Sequence, residues 1–242
     1  MLNLDTDLIG RKVIFLREVD STNEYAKSIA PHEDSGTVVV AERQHSGRGR
    51  RGRYWASPEG GLWVSVILKP EKHENLTLLV FAAALAVTDT LEEFGIKGRI
   101  KWPNDVLVNG RKICGILTEG RAGDYVVVGI GLNVNNEIPN GLSRVATSMS
   151  LLRGTEVSLF HVFRSLIRNL EGWYRAYVDG LYEKILKETR DRSAVLGREV
   201  RVVDDVEIVG RAIDIDAEGA LIVQTHSGIK RVTHGDVSLR FV

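Results

Sequence analysis

Apolar and polar positions along this chain repeat with two different periods, and the changes between them mark its elements. Val13-Ile14-Phe15-Leu16, Thr37 to Glu42, Gly61 to Leu68 and Tyr125 to Asn135 are short apolar or β-branched runs, and each predicts a strand. A helical period predicts a long helix over residues 74–94. Leu76, Leu79, Val80, Ala83, Val87, Leu91 and Phe94 share one face of it, and Gly95 stands as C-cap. A second long helix, capped by Thr155 or Ser158, runs to Val178 with Phe160, Phe163, Ile167, Leu170, Tyr174 and Tyr177 as its stripe. A further helical stretch covers 181–190. The short helix from Glu24 to Ala30 opens at Ser21, with Glu24 three residues on as a capping box, and stops at Pro31. Asn109-Gly110 between two apolar runs predicts a tight hairpin and sets Lys112 at the start of a strand.

Beyond Ser193 the pattern becomes five short strands, over 199–203, 206–215, 220–224, 230–233 and 237–241, separated by turn residues. That density of strands predicts a small barrel. The chain therefore reads as α+β, with one domain over 1–192 and a second over 193–242.

Between the second and third predicted strands lies Gln44-His45-Ser46-Gly47-Arg48-Gly49-Arg50-Arg51-Gly52-Arg53-Tyr54-Trp55. Its glycines let the backbone curl close to a ligand, and its arginines carry donors that fit carboxylate and phosphate oxygens. Residues 47–52 match G-x-G-x-x-G literally. The dinucleotide fingerprint needs a helix after its glycines, and here a Pro-Glu-Gly-Gly turn and a strand follow. Gly129 and Gly131 open one face of their strand, a sign of close approach by a ligand or another chain segment, and Asn133 falls on that same face.

Composition narrows the partner. Lys plus Arg and Asp plus Glu are 32 each in 242 residues, so the arginine loop is a local positive feature of a neutral chain. That favours a small anionic ligand over nucleic acid. The lone Cys114 excludes an intramolecular disulfide, and no run approaches a membrane span, so a cytosolic (cytoplasmic) protein is expected. The six histidines form no H-E-x-x-H motif. There is no C-x-x-C, no G-x-S-x-G and no Walker A sequence. What is offered is cations (Arg48, Arg50, Arg51, Lys101, Lys112) and small polar groups (Ser21, Thr22, Asn23, Gln44, Asn104, Asn133), an inventory suited to neutralising and positioning anionic reactants.

Five motifs in this order resemble the biotin–protein ligases, the biotin–[acetyl-CoA-carboxylase] ligases. They are Ser21-Thr22-Asn23, the loop from Gly47 to Arg53 with Trp55, Lys101-Trp102-Pro103-Asn104-Asp105, Lys112 with Gly115-Ile116-Leu117 and Glu119, and Gly129-Ile130-Gly131-Leu132-Asn133. The tail from Leu196-Gly197-Arg198 to Ser238-Leu239-Arg240 is similar to the family's C-terminal SH3-like domain. The resemblance implies a mixed-sheet catalytic domain of the class II synthetase-like, SH2-like kind. It also implies a two-step reaction: biotin and MgATP give biotinyl-5′-AMP, and biotin then passes to a lysine of a biotin carboxyl carrier protein.

By the same resemblance, Ser21, Thr22, Asn23 and Gln44 would hold biotin, with Arg48, Gly49, Arg50, Lys112 and Gly115 around it. Arg48, Arg51, Trp55, Lys101, Asn104 and Asn133 would hold ATP or the adenylate. Lys112 and Arg48 would be catalytic. No protein side chain is assigned to a metal, and Mg2+ would arrive with ATP. A homodimer is expected. Only twenty residues precede Ser21, too few for the DNA-binding module some members carry, so repressor function is not expected. Two other readings stay open: a lipoate or octanoyl ligase or transferase on a related scaffold, and a nucleic-acid-binding module.

Overall fold

The computed structural model describes residues 4–71, 75–121, 123–203 and 207–239. A seven-stranded sheet runs in the order β1 (Val13–Val19), β2 (Val38–Gln44), β3 (Leu62–Leu68), β7 (Tyr125–Leu132), β6 (Arg111–Arg121), β5 (Asp105–Val108), β4 (Arg99–Lys101). β1 and β2 are parallel and every other neighbouring pair is antiparallel. The parallel pair is connected through α1 (Thr22–Ile29), as a crossover requires. The Asn109-Gly110 hairpin forms as the sequence predicts, with both residues at positive φ (51° and 76°), the turn whose twist matches its strands.

β7 shows the alternation plainly. Val126, Val128, Ile130 and Leu132 of β7 enter the main core, while Val127 joins a smaller cluster with Ala26 of α1 and Ala30 just after it on the opposite face. Gly129 and Gly131 continue that second face. Helices α2 (Leu76–Glu93), α4 (Leu159–Val178) and α5 (Tyr182–Asp191) cover the main-core face, with a short α3 (Met149–Arg153) just before α4. The single apolar stripe expected for α2 understates it. From Leu78 to Leu91 all but Val80 and Asp89 are buried, because the helix lies between the sheet, the other helices and the turn at Gly219 of the C-terminal sheet. A helix apolar all round is a central helix.

The C-terminal strands β8 (Glu199–Val203), β9 (Glu207–Ile215), β10 (Leu221–Thr225), β11 (Gly228–Val232) and β12 (Asp236–Leu239) form one antiparallel sheet in the order β11-β10-β9-β8-β12. It is joined to the body by packed contacts. Trp102 Nε1 donates to Gly219 O at 2.9 Å, and Gly219, at φ 83°, lies so close to Thr77 and Phe81 of α2 that a side chain would collide. The expected start of α2 at Glu74, the turn at Asp204-Asp205 with the strand start at Val206, Arg240 and the strand end at Phe241 lie outside the described residues. Among the described residues no helix is long and apolar enough to cross a membrane.

Candidate active site

The α1 face of the sheet holds a cavity of about 270 Å3. Its floor is glycine, for a steric reason. A Cβ on Gly129 would stand 2.1 Å from Asn23 Oδ1, and one on Gly131 would stand 2.5 Å from Trp55 Nε1. The face read from the sequence as open to a close approach is thus occupied first by two of the protein's own side chains. Gly115 on β6 continues the surface, where a Cβ would stand 3.3 Å from both Lys112 Nζ and the Trp55 ring.

The N-terminus of α1 forms one wall, and its polar groups are buried and partnered. Thr22 donates through its backbone N–H (2.8 Å) and its hydroxyl (3.0 Å) to Gln44 Oε1, and Gln44 Nε2 donates to Ser57 Oγ at 2.8 Å. Asn23 donates to Glu119 Oε2 (2.9 Å) and Leu117 O (3.2 Å), while its Oδ1 lies 2.6 Å from Ser65 Oγ. Ser21 caps the helix, accepting from Glu24 N at 3.5 Å. The reciprocal half of the expected capping box is replaced. Glu24 turns its carboxylate outward to Lys27 and to Arg48, each at 2.7 Å.

The glycine–arginine loop has a fold of its own. Trp55 N–H bonds Gly47 O at 2.8 Å and Gly49 N–H bonds Arg53 O at 2.7 Å, so the segment doubles back over a 3-10 turn at Arg50–Gly52 in which Arg51 is left-handed (φ 56°). Gly47 has no room for a side chain, since a Cβ would lie 2.3 Å from Trp55 O. The arginines do not act as a group. Arg48, Arg50 and Arg53 line the cavity, whereas Arg51 does not. Arg50 is half-buried and donates to Asn104 Oδ1 and Gly235 O, both at 3.3 Å, and burial pushes its guanidinium below the ordinary value. Arg53 bonds Asp236, and Arg51 lies 3.9 Å from the same carboxylate. The loop therefore spans from α1 to the C-terminal sheet.

Lys112 stands opposite the loop. Its ammonium pairs with Asp105 at 2.7 Å and lies 4.9 Å from the centre of the Trp55 ring. The strand around it is held by the segment following β7: Lys112 N donates to Val145 O (2.7 Å), and Lys112 O accepts from Thr147 N (2.9 Å). Asn133, buried just past the end of β7, anchors that segment. Its Nδ2 donates to Thr147 O at 3.0 Å, and its Oδ1 accepts from Asn136 at 3.2 Å. It still borders the cavity, but much of its hydrogen-bonding capacity is structural. Asn104 likewise donates to Ile116 O at 2.7 Å.

Of the sequence-predicted residues, Ser21, Thr22, Asn23, Gln44, Arg48, Gly49, Arg50, Trp55, Asn104, Lys112, Gly115 and Asn133 all face this one cavity. Arg51 and Lys101 stand off its wall. Lys101 ends β4, where burial lowers its ammonium and the Asp105 charge opposes that shift. Sequence reading missed Ser57 and Ser65, which complete the α1 network, the rim from Asn136 to Ala146, and Asp236. Ser65 carried a faint signal, a polar residue in the all-buried strand β3. Asp236 carried none, since it is 131 residues from Asp105 in the sequence and meets the site only through the fold. Among the described residues no three His, Cys, Asp or Glu side chains gather as a metal site. Burial raises the Cys114 thiol far above its ordinary range, which leaves it inert as a nucleophile.

A glycine floor that meets a helix N-terminus beneath a cationic loop suits the binding of an anionic ligand, and comparison with known proteins gives the class, the protein ligases of the biotin and lipoate type. Residues 15–135 match the model of the Biotin/lipoate A/B protein ligase family, and residues 195–240 match the Biotin protein ligase C terminal domain. The chain is 38% identical to the "Bifunctional ligase/repressor BirA" of Bacillus subtilis, over 98% of this chain and 76% of that one. It is 33% identical to the "Biotin--[acetyl-CoA-carboxylase] ligase" of Mycobacterium tuberculosis, over 97% and 93%. The solved structure described as biotin protein ligase from Aquifex aeolicus in complex with biotin and ATP superposes with a TM-score of 0.87 at 34% identity, covering 95% of this chain and 99% of that one. The chain belongs to the biotin protein ligase family.

Proposed function

We propose that this chain is an ATP-dependent biotin–protein ligase in which the cavity between α1 and the glycine–arginine loop carries both half-reactions. In the first, a biotin carboxylate oxygen attacks the α-phosphorus of ATP, the α–β anhydride bond breaks, and pyrophosphate leaves with that electron pair. In the second, a neutral lysine amine of a biotin carboxyl carrier domain attacks the acyl carbon, AMP departs, and the new amide sheds the amine's extra proton. The observation that carries this reading is Lys112 facing Arg48 and Arg50 across one cavity floored by Gly115, Gly129 and Gly131.

Each group has work suited to its place. A carboxylate and a triphosphate repel, so the reaction needs fixed cations between them. Lys112, held at the strand start by Asp105 and the returning segment, serves the carboxylate and the α-phosphate. Ser21, Thr22, Asn23 and Gln44 face the uncharged biotin head group from rigid positions, with Gly115 leaving space beside it. Arg48, Gly49 and Arg50 close over the adenylate, a mixed anhydride that water would destroy. Trp55, Asn104 and Asn133 border the adenylate's nucleotide part, while Arg51 and Lys101 contribute charge from outside the wall. No side chain is assigned to Mg2+, and Asp105 is engaged with Lys112; bound to the triphosphate, the metal would offset phosphate charge. The body over 1–192 supplies this chemistry. The domain over 193–242 steadies the loop, and the active unit is a homodimer working in the cytoplasm.

Biotin-dependent exchange between pyrophosphate and ATP tests the first step, and ATP-dependent labelling of a carrier domain tests the second. Exchange with biotin and none with lipoate is expected. Exchange with lipoate alone would overturn the assignment.

A further inference from the structure

Glu24 sits at the third position of α1, where a capping-box carboxylate would turn back to the helix start. Its Oε1 instead accepts from Lys27 Nζ and from Arg48 NH1, each at 2.7 Å. Lys27 bonds Glu119 Oε1 at 3.2 Å, and Glu119 Oε2 accepts from Asn23 on the cavity wall. Four charges of alternating sign, Arg48, Glu24, Lys27 and Glu119, thus run from the loop to the floor of the site. The Lys27 bond holds the Glu24 carboxyl below the usual carboxylate range. Burial works against the Lys27 ammonium, but its bonds to Glu24 and Glu119 raise it. Both shifts favour the charged forms of Glu24 and Lys27.

The geometry suits a device that opens. Arg48 is just over half exposed and Glu24 more than a third, so their pairing is weak and screened by salt. A guanidinium has five donors in a fixed fork, and Glu24 engages it at NH1, while Arg48 also borders the cavity. One edge can stay on Glu24 while another meets an anion.

We infer that Glu24 is a positioning residue for the ligase reaction: it docks the loop onto α1 by one edge of Arg48, aims the remaining donors at the adenylate, and is itself kept in register with the biotin floor by Lys27 and Glu119. This rests on the ligase reading given above. Release of the loop in the absence of Glu24 would leave the floor intact and let the adenylate escape.

The experiment is a double-mutant cycle on the full chain with Glu24→Ala, Arg48→Ala and the pair, reading biotin-dependent pyrophosphate exchange and the adenylate released into solution. Glu24→Ala is expected to speed adenylate release about two- to fivefold, the range of an exposed ion pair, and to raise KM more than it lowers kcat. The effect should shrink as salt rises. Glu24→Gln, which keeps a neutral acceptor for Arg48, should fall between Glu24→Ala and the natural protein. Adding Glu24→Ala to Arg48→Ala should change nothing further. Unchanged release in Glu24→Ala, or effects that multiply in the pair as a general loosening of α1 would give, overturns the role of Glu24. A natural protein with no biotin-dependent exchange at all overturns the ligase reading instead, so the two failures are distinct.

Discussion

The two walls of the cavity are built on opposite principles. The α1 wall is buried and internally satisfied: Thr22 and Asn23 are each 4% exposed and their polar atoms are tied to Gln44, Ser65 and Glu119. The loop wall keeps half-buried Arg50 on Asn104 and Gly235, but its flanks are held by ion pairs open to solvent, Arg48 to Glu24 on one side and Arg53 to Asp236 on the other. Buried, fully partnered polar networks are rigid, whereas exposed ion pairs contribute at most about 1 kcal/mol and exchange readily with solvent. The floor is shaped before the ligand arrives, and the loop can move over it. That division fits a reaction needing a fixed place for an uncharged head group and a removable cover for a water-sensitive anhydride.

The largest expected effect lies between the walls. Lys112→Ala should slow adenylate formation roughly 10²-fold or more, the scale for removing one electrostatic stabiliser, as measured by pyrophosphate exchange. Near-normal exchange would remove Lys112 from the mechanism. Gly129→Ala strikes the rigid wall, where the new methyl would collide with buried Asn23. Overpacking of about 1–3 kcal/mol should appear as a tenfold or greater loss of biotin affinity by calorimetry. An unchanged affinity would mean that the floor yields as easily as the loop, and the contrast would fall. Arg48→Gly strikes the mobile wall. It should leave biotin binding nearly intact while adenylate escapes and labels bystander lysines, and strict labelling of the acceptor would count against the cover.

The smallest effect on chemistry should come from Glu171, far from both walls, which separates stability from function. Its carboxylate accepts from the backbone N–H groups of Asp7, Leu8 and Ile9 at 2.7–2.8 Å and pairs with Arg175. Burial alone would raise this carboxyl, but the three N–H bonds and Arg175 outweigh it and hold it below the usual range. The native state therefore binds the proton less readily than the unfolded chain. The stabilisation is whole above the ordinary carboxylate pKa, about 4.3, and drains as pH falls through the depressed native value. Glu171→Gln should lower the thermal midpoint at neutral pH, by about 1–3 kcal/mol of stability, and flatten its acid dependence, with adenylation rates unchanged. A variant that loses activity at full stability would tie this buried carboxylate to the site.

The sequence carried the glycine floor, because two glycines at a spacing of two in an apolar strand have few other uses. It carried the Asn109-Gly110 turn that places Lys112, since that dipeptide enters its turn at little local cost. Its five short motifs carried the glycine floor and the cationic side of the cavity, but not the rim from Asn136 to Ala146 or Asp236. It misjudged α2, because periodicity reports the face a helix must bury and not the number of neighbours that bury it. It also treated the arginines as one cationic group.

What the amino-acid order determined by itself is local: the periods of the elements, the turn chemistry, and the residue types able to meet an anion. The division of labour was left to tertiary structure. Arg48 goes to Glu24, Arg50 to Asn104, and Arg51 and Arg53 toward Asp236 because the fold sets acceptors from three distant segments around one loop. Charge alone cannot distinguish neighbouring arginines. Only the positions of their partners in space can.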